Sequence, residues 1–334
     1  MQEIHLSGPA PVLNHRGAVH PGWAERGDGV YRRSAVKAGA ARLREWDCYQ
    51  IMDGQKCLRL SFGHTGRTGA VRAVLLDYRG GEVLFDFQKR FALPFARLDM
   101  PESAEADSDL VYDAGGVYLR FLVRGDTRFL SFHTAAGISA EAALARRSPY
   151  SAVVNMPFAG APRAFCRSQK IAGMTASAKV EAGGERYLFG GGSFALLDWE
   201  RGAWPARCER LWAAGAGEAE GAPLAFSFGE GPGDTARGTE NMLFYAGAYT
   251  KLGRVTFTFE RADAYQPWRI EDERGRLALT LRPCYEFAAR RVPPFTDGAV
   301  RQTFGEAEGR AVLDGGRVLE FKGLAAFAEL GAAH

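Results

Sequence analysis

Hydrophobic and polar residues alternate with a period of two along most of the chain, which is typical of β-strands with one buried face. The alternation is clearest at Arg254–Glu260, where Val255, Phe257 and Phe259 occupy every second position. Successive side chains of a strand point to opposite sides, so these three residues share one face. The pattern predicts an all-β protein with little helix.

Several alternating segments are paired across short glycine-containing turns. Glycine is favoured in such turns because it adopts positive φ angles at low cost. Two alanine-rich and leucine-rich segments, Ser139–Arg147 and Leu324–Leu330, have helical propensity instead. We predict antiparallel hairpins for four pairs of segments: Val71–Tyr78 with Glu82–Phe87, Val117–Val123 with Arg128–His133, Ala178–Val180 with Arg186–Phe189, and Ala311–Leu313 with Val318–Phe321.

The length of the chain, 334 residues, suits two domains or one large β domain. Proline and glycine interrupt the alternation at Pro157–Arg167. We therefore expect an N-terminal β domain over residues 1–160 and a C-terminal β domain over residues 161–334. The aromatic content of 12% and the 41 glycines agree with this, because rings fill the faces of sheets and glycines form turns.

The charge pattern argues against binding to nucleic acid. The net charge is +3, and no run of Lys and Arg is longer than two. Proteins that bind nucleic acid concentrate positive charge on one face. The six histidines show neither a spacing of four residues nor cysteine neighbours, so no metal site and no cofactor is expected.

Several features predict a cytoplasmic protein. Met1–Pro9 lacks the basic start and apolar core of a signal peptide. No segment approaches the roughly 18 apolar residues of a membrane-spanning helix. The five cysteines are odd in number and widely spaced, which favours reduced thiols.

The densest group of chemically active residues lies in Phe194–Pro205. An apolar run reaches Asp198, and Trp199 and Trp204 flank Arg201 within seven residues. Such a group forms either a ligand site or a structural corner. In the second case Asp198 and Arg201 would form a buried ion pair, and removal of one partner would cost about 3–5 kcal/mol.

Five segments in one order resemble the bacterial domain-of-unknown-function 2804 family, and the resemblance extends from about Gly17 to Glu329. The chain departs from the family at Ala206–Ala213, where only Trp212 keeps the aromatic character. The matching segments are Arg44–Tyr49, Phe194–Pro205, Gly238–Asn241, Pro267–Ile270 and Gln302–Leu324.

The family is similar in its folding pattern to hydroxyneurosporene synthase and its relatives, which pair two lipocalin-like β-barrels. The resemblance therefore implies two consecutive lipocalin-like antiparallel β-barrels or curved sandwiches. It also implies that Ser139–Arg147 is a strand, which the alternation of Ile138, Ala140, Ala142 and Leu144 allows.

The same resemblance implies an apolar cavity for one fatty or isoprenoid molecule, because small barrels have room for a single ligand. The synthase relatives add water across a double bond, a reaction that requires a proton donor and aromatic walls. Asp198 and Glu240 are the candidate acids. The candidate ligand-binding residues are Arg201, Trp199, Trp204, Trp212, Asn241, Tyr245, Trp268 and Tyr285.

Three hypotheses follow. The first is a protein that binds an apolar small molecule, which requires only an apolar lining and a polar anchor. The second is a hydratase, isomerase or cyclase in which Asp198 or Glu240 donates a proton. The third is a structural or partner-binding protein whose aromatic residues form the core and whose surface exposes a large apolar patch.

Overall fold

A computed structural model of the chain describes residues 3–92, 98, 100–161, 163–205, 208–231, 233–290 and 299–333. Within these residues the chain forms two curled antiparallel sheets, each shaped as a half-barrel. The helical elements described are three single turns of 3-10 helix, at Arg33–Ala35, Ala40–Arg42 and Thr235–Arg237. The prediction of an all-β protein with two consecutive curved sheets and little helix is confirmed.

The first sheet has a central path of ten strands in the order β5-β4-β3-β2-β13-β11-β9-β8-β7-β6, and β1, β10 and β12 are attached to it through β11. Its strands are β1 (Gly22–Ala24), β2 (Leu43–Met52), β3 (Lys56–His64), β4 (Thr68–Asp77), β5 (Glu82–Ala92), β6 (Ser108–Ala114), β7 (Val117–Arg124), β8 (Thr127–Thr134), β9 (Ser139–Ala145), β10 (Ala152–Pro157), β11 (Phe165–Ala182), β12 (Glu185–Phe189) and β13 (Phe194–Ala203).

The second sheet has nine strands in the order β17-β16-β15-β14-β22-β21-β20-β19-β18. Its strands are β14 (Cys208–Ala219), β15 (Ala222–Glu230), β16 (Met242–Tyr245), β17 (Ala248–Lys251), β18 (Val255–Thr258), β19 (Trp268–Asp272), β20 (Leu277–Arg290), β21 (Ala299–Val312) and β22 (Val318–Ala333).

The four predicted hairpins are all present, as the pairs β4–β5, β7–β8, β11–β12 and β21–β22. The two predictions based on helical propensity are wrong. Ser139–Ala145 is a strand between β8 and β11, as the family resemblance implied, and Leu324–Leu330 lies within β22. In both places the neighbouring strands supply main-chain hydrogen bonds, and this sheet context outweighs the weak helical preference of alanine and leucine.

The chain passes from the first sheet to the second between Ala203 and Cys208. The sequence placed the domain division earlier, after residue 160. Strands β10 and β11, on either side of that division, pair with each other in the first sheet.

Three apolar cores occupy the space inside and between the sheets. The first core lies inside the first half-barrel and includes Tyr49, Phe121 and Trp199. The second lies between the two sheets and includes Trp46 and Trp212, and the third lies inside the second half-barrel. In the described part of the chain, no helix is long and apolar enough to cross a bilayer.

Candidate functional site

Strand β13 contributes to two separate environments because its side chains alternate between the two faces of the first sheet. Leu197 and Trp199 belong to the first core, and Arg201 points to the same side. Leu196 belongs to the core between the sheets, and Asp198 follows it on that side. The candidate residues of this segment are therefore divided between the inside of a half-barrel and the interface of the two sheets.

Charged side chains form a buried group between the sheets, which we call the inter-sheet charge cluster. Each is at most 4% exposed, apart from Arg59, whose side chain is 11% exposed. Four carboxyl groups in this cluster face three cationic groups. Its members are Arg59, Lys170, Asp198, Glu200, Arg210, Glu240 and Glu329.

Lys170 on β11 lies within 4 Å of three of the four carboxyl groups in this cluster. Its Nζ donates hydrogen bonds to Asp198 Oδ1, to Glu200 Oε1 at 2.6 Å and to Ser168 Oγ at 2.8 Å. Ser168 Oγ in turn donates to Glu240 Oε2 at 2.5 Å, which lies 3.7 Å from the ammonium. Asp198 and Glu240, the two predicted acids, therefore belong to one hydrogen-bonded group.

Arg210 on β14 connects the same carboxylates to the second sheet. Its guanidinium contacts Glu200, Asp198 at 3.2 Å and Glu329 at 3.3 Å. Both Arg210 and Lys170 also lie 5.2 Å from the ring centre of Trp212. The cluster thus bonds β11 and β13 of the first sheet to β14 and β22 of the second.

The two carboxyl groups on β13 have opposite pKa shifts. Burial would raise the pKa of Asp198, but the positive charges of Lys170 and Arg210 outweigh burial and hold this pKa below its usual value. Burial raises the pKa of Glu200, and the negative charges of Asp198 and Glu240 add to that rise against the attraction of the same cations. Asp198 is therefore ionised at neutral pH, which opposes its predicted role as a proton donor, and Glu200 is the better acid.

Arg201 lies on the other side of β13 and does not pair with Asp198. Its Nη2 is 2.7 Å from Asp47 and donates to the carbonyl oxygen of Pro101 at 2.8 Å, and the guanidinium lies over Trp199. The predicted alternative of an Asp198–Arg201 ion pair is wrong. Residues three apart in a strand point to opposite faces, so the two side chains cannot meet.

A second buried carboxylate, Glu45, lies near Arg201 on the inner side of the first half-barrel. It accepts hydrogen bonds from Tyr31 at 2.8 Å, from Arg33 at 2.7 Å and from His64 at 3.0 Å. Burial would raise the pKa of Glu45, but the His64 hydrogen bond and the charges of Arg201 and Arg33 lower it to about 2. Glu45 is therefore an ionised structural carboxylate rather than a proton donor.

The other predicted aromatic residues lie in the second and third cores. Trp212 is the one that touches the inter-sheet charge cluster directly, while Trp204 packs edge-on against Trp46 nearby. Tyr245 and Trp268 are in the third core, and Trp268 stacks on Phe259 at 3.7 Å.

The two remaining candidates are Asn241 and Tyr285. Asn241 accepts a hydrogen bond from Gly229 N at 2.7 Å and donates one to Gly253 O at 2.9 Å, so it braces two main-chain segments. Tyr285 packs against the core between the sheets. The candidates do not converge on one ligand site.

A cavity of about 450 Å³ lies between the N-terminal segment, residues 5–29, and strands β10 and β11. Leu6, Pro11 and Ala24 supply apolar lining. Polar and charged groups come from His5, His20, Glu25, Arg26, Asp28, Asn155 and Arg167. This volume is in the range of small-molecule sites, roughly 300–1,000 Å³. None of these residues was a candidate, because Arg167 is one of several polar residues between Phe165 and Ile171 and carries no distinct signal.

A smaller cavity of about 180 Å³ lies between the two sheets. Ala172 and Phe194 from the first sheet line it, together with Ala225 and Phe244 from the second. Asp198 and Glu240 line neither of these two cavities. In the residues that the structure describes, no group of three or more His, Cys, Asp and Glu side chains is arranged to hold a metal ion.

Two half-barrels in tandem, joined through a buried face, define an all-β fold of two consecutive curled antiparallel sheets. The chain belongs to the family described as domain of unknown function DUF2804, which matches residues 2–334. The family predicted from the sequence is confirmed. No curated protein sequence matches the chain.

Solved structures with the same fold include CghA with Sch210972. That structure has a TM-score of 0.57 at 12% identity, with 88% of this chain and 89% of that chain covered. The AttH-like protein NE1406 of Nitrosomonas europaea has a TM-score of 0.56 at 14% identity, with 86% of this chain and 92% of that chain covered. These identities show a shared fold alone.

Proposed function

We propose that this protein binds an apolar small molecule in the cavity beneath its N-terminal segment. The observation that carries the proposal is the cavity itself. It has a volume of about 450 Å³, and Leu6, Pro11 and Ala24 form the apolar part of its wall. Binding sites of this kind pair an apolar wall with a few placed polar groups. The interiors of the two half-barrels are less suitable, because the side chains of the first and third cores occupy them.

The structure of CghA with Sch210972 supports the proposal to the extent that a protein of this fold has been solved with a small molecule. Fatty or isoprenoid molecules remain the predicted ligands. Large exposed apolar side chains, which the alternative of a partner-binding protein requires, are present here but separated along the chain, as at Val111, Leu188 and Tyr265.

The enzymatic alternative is acid–base hydration, isomerisation or cyclisation with Asp198 or Glu240 as the acid. It requires a route by which substrate reaches these carboxyl groups. Both are at most 3% exposed, and neither of the two cavities reaches them. The geometry therefore supports binding better than catalysis at the inter-sheet charge cluster.

The proposal is tested with N-phenyl-1-naphthylamine, an uncharged apolar probe whose fluorescence rises in apolar surroundings. Ala10 lines the cavity and is exposed, so Ala10→Trp would place an indole in the cavity entrance without disturbing a core. Ala262→Trp is the matched control, because Ala262 is exposed in a loop of the second half.

We expect the wild-type protein and Ala262→Trp to bind the probe equally, and Ala10→Trp to bind it at least about tenfold more weakly, a loss of about 1.4 kcal/mol. Denaturing mass spectrometry of the purified protein then identifies any molecule that copurifies. If the wild type does not bind the probe, or if both tryptophan variants bind it equally, the cavity is not the binding site.

A further inference from the structure

We infer that the ligand of this cavity is an apolar organic acid and that Arg167 binds its carboxylate. The inference rests on the proposed function and adds the chemical class of the ligand. It depends on three observations: the burial of Arg167, the unused hydrogen-bonding capacity of its guanidinium, and the glycine-containing segment that lies over it.

Arg167 is 2% exposed and lines the cavity. Its Nη1 donates a hydrogen bond to Asn155 Oδ1 at 3.0 Å, and Asn155 Nδ2 donates to the carbonyl oxygen of His20 at 3.1 Å. This chain of contacts orients the guanidinium. Its Nε is buried and has no hydrogen-bond partner among the described residues, so the hydrogen-bonding capacity of this buried cation is not fully used.

A buried cation without a bound anion is costly, since burial removes it from water. Burial lowers the pKa of Arg167 to about 10, although the nearby carboxylates of Glu105 and Asp28 oppose this change. Arg167 thus remains charged at neutral pH. Glu105 is engaged by Gln169 and Arg146, Asp28 is exposed, and no ion pair with Arg167 is present in the described part of the chain.

The segment Gly27–Gly29 lies directly over these polar side chains. A Cβ atom at Gly29 would be 3.1 Å from Arg167 Nη1 and 3.2 Å from its Nη2, and a Cβ atom at Gly27 would overlap the amide of Gln169. Glycine at position 29 therefore lets the main chain pass close to the guanidinium without displacing it. The guanidinium is thereby held in a fixed orientation. A planar guanidinium in a fixed orientation can bind a carboxylate through two hydrogen bonds.

The ligand class follows from this combination. A carboxylate would pair with the charge of Arg167, while its apolar chain would contact Leu6, Pro11 and Ala24. An alcohol of the same length would fill the same apolar space but leave the cation unpaired. Hydrogen bonds that involve a charged group are about twice as strong as neutral ones, so the acid should bind about ten- to a hundredfold more tightly.

The experiment measures displacement of N-phenyl-1-naphthylamine by dodecanoate and by 1-dodecanol at pH 8. In the wild type we expect dodecanoate to bind at least about tenfold more tightly than the alcohol. In Arg167→Gln the ratio of the two affinities should fall to about one. Arg147→Gln is the matched control, because Arg147 is exposed and lines the smaller cavity instead.

Gly29→Ala provides a second test that keeps Arg167 and does not depend on the folding of Arg167→Gln. Its methyl group should move the guanidinium and reduce the affinity for dodecanoate relative to that for dodecanol. Equal affinities for acid and alcohol in the wild type, or a preference that persists in Arg167→Gln, would overturn the inference and leave the proposed function standing. If the probe itself does not bind, the proposed function fails first.

Discussion

Lys170→Met is the change that most directly tests the account of the inter-sheet charge cluster. Methionine has a similar length and keeps the packing against Trp212, but it removes the ammonium. Asp198 and Glu200 then lose a hydrogen-bonded cation, and Glu240 loses one at 3.7 Å. Four carboxyl groups would face two cations, Arg59 and Arg210, where they now face three.

The expected cost is about 3–5 kcal/mol of unfolding free energy, which is typical when one partner of a buried ion pair is removed. The lower end of this range is expected because Arg210 still contacts Asp198 and Glu200. Carboxyl groups without Lys170 have raised pKa values in the folded variant. A group whose pKa is higher in the folded protein than in the unfolded chain stabilises the fold at low pH and loses this contribution as the pH rises. The difference in unfolding free energy between the wild type and Lys170→Met should therefore grow between pH 5 and pH 8.

Urea unfolding followed by tryptophan fluorescence measures this free energy at both pH values. Lys179→Met is the matched control on the same strand. Lys179 and its partner Glu181 are 49% and 41% exposed, so their ion pair should contribute at most about 1 kcal/mol. If Lys170→Met costs no more than Lys179→Met, or if its deficit shrinks as the pH rises, the reasoning is refuted.

Three further predictions concern single features of the fold. The folded-state pKa of Glu200, about 7, lies above its ordinary value, so the unfolding free energy should decline as the pH rises through 7. Glu200→Gln should remove the contribution of Glu200 to this decline, as measured by urea unfolding from pH 6 to pH 8. Gly305→Ala should cost about 2–4 kcal/mol because its Cβ would overlap a main-chain carbonyl oxygen of the paired strand, while Gly191→Ala, with open space around it, should change unfolding free energy little; equal costs would contradict this. Ellman's reagent should react in the native protein only with the half-buried Cys208 and Cys284, and with all five thiols in urea; rapid native reaction of the other three would show that they are not buried.

The hairpins were predictable from sequence because two local signals coincide at each, the alternation of the strands and the glycine of the turn. At Leu324–Leu330 the local signal was the helical propensity of alanine and leucine, and at Ser139–Ala145 this propensity competed with an alternation that allows a strand. Strand formation there follows from pairing on both sides, with β8 and β11 for the first segment and with β21 and β14 for the second. Such partners leave no mark in a short stretch of sequence.

The candidate site was predictable to a smaller extent. Asp198 and Glu240 do belong to one buried group, but the residues that join them, Lys170 and Arg210, lie on two other strands and carry no motif. The expected Asp198–Arg201 ion pair was wrong, and strand geometry was sufficient to exclude it, since an odd spacing from Asp198 places Arg201 on the opposite face. Arg167 was beyond reach because its cavity exists only once the N-terminal segment covers β11.

Each sheet is completed by a strand that is synthesised late. Strand β2 pairs with β13 in the first sheet, and β14 pairs with β22 in the second. During translation the first sheet can therefore close before the strands of the second have emerged from the ribosome. Until then, its uncovered face presents Lys170, Asp198 and Glu200 to water among apolar side chains. These charges hydrate a surface that would otherwise associate with other nascent chains, so the groups that later bond the two sheets together also keep the half-made protein in solution.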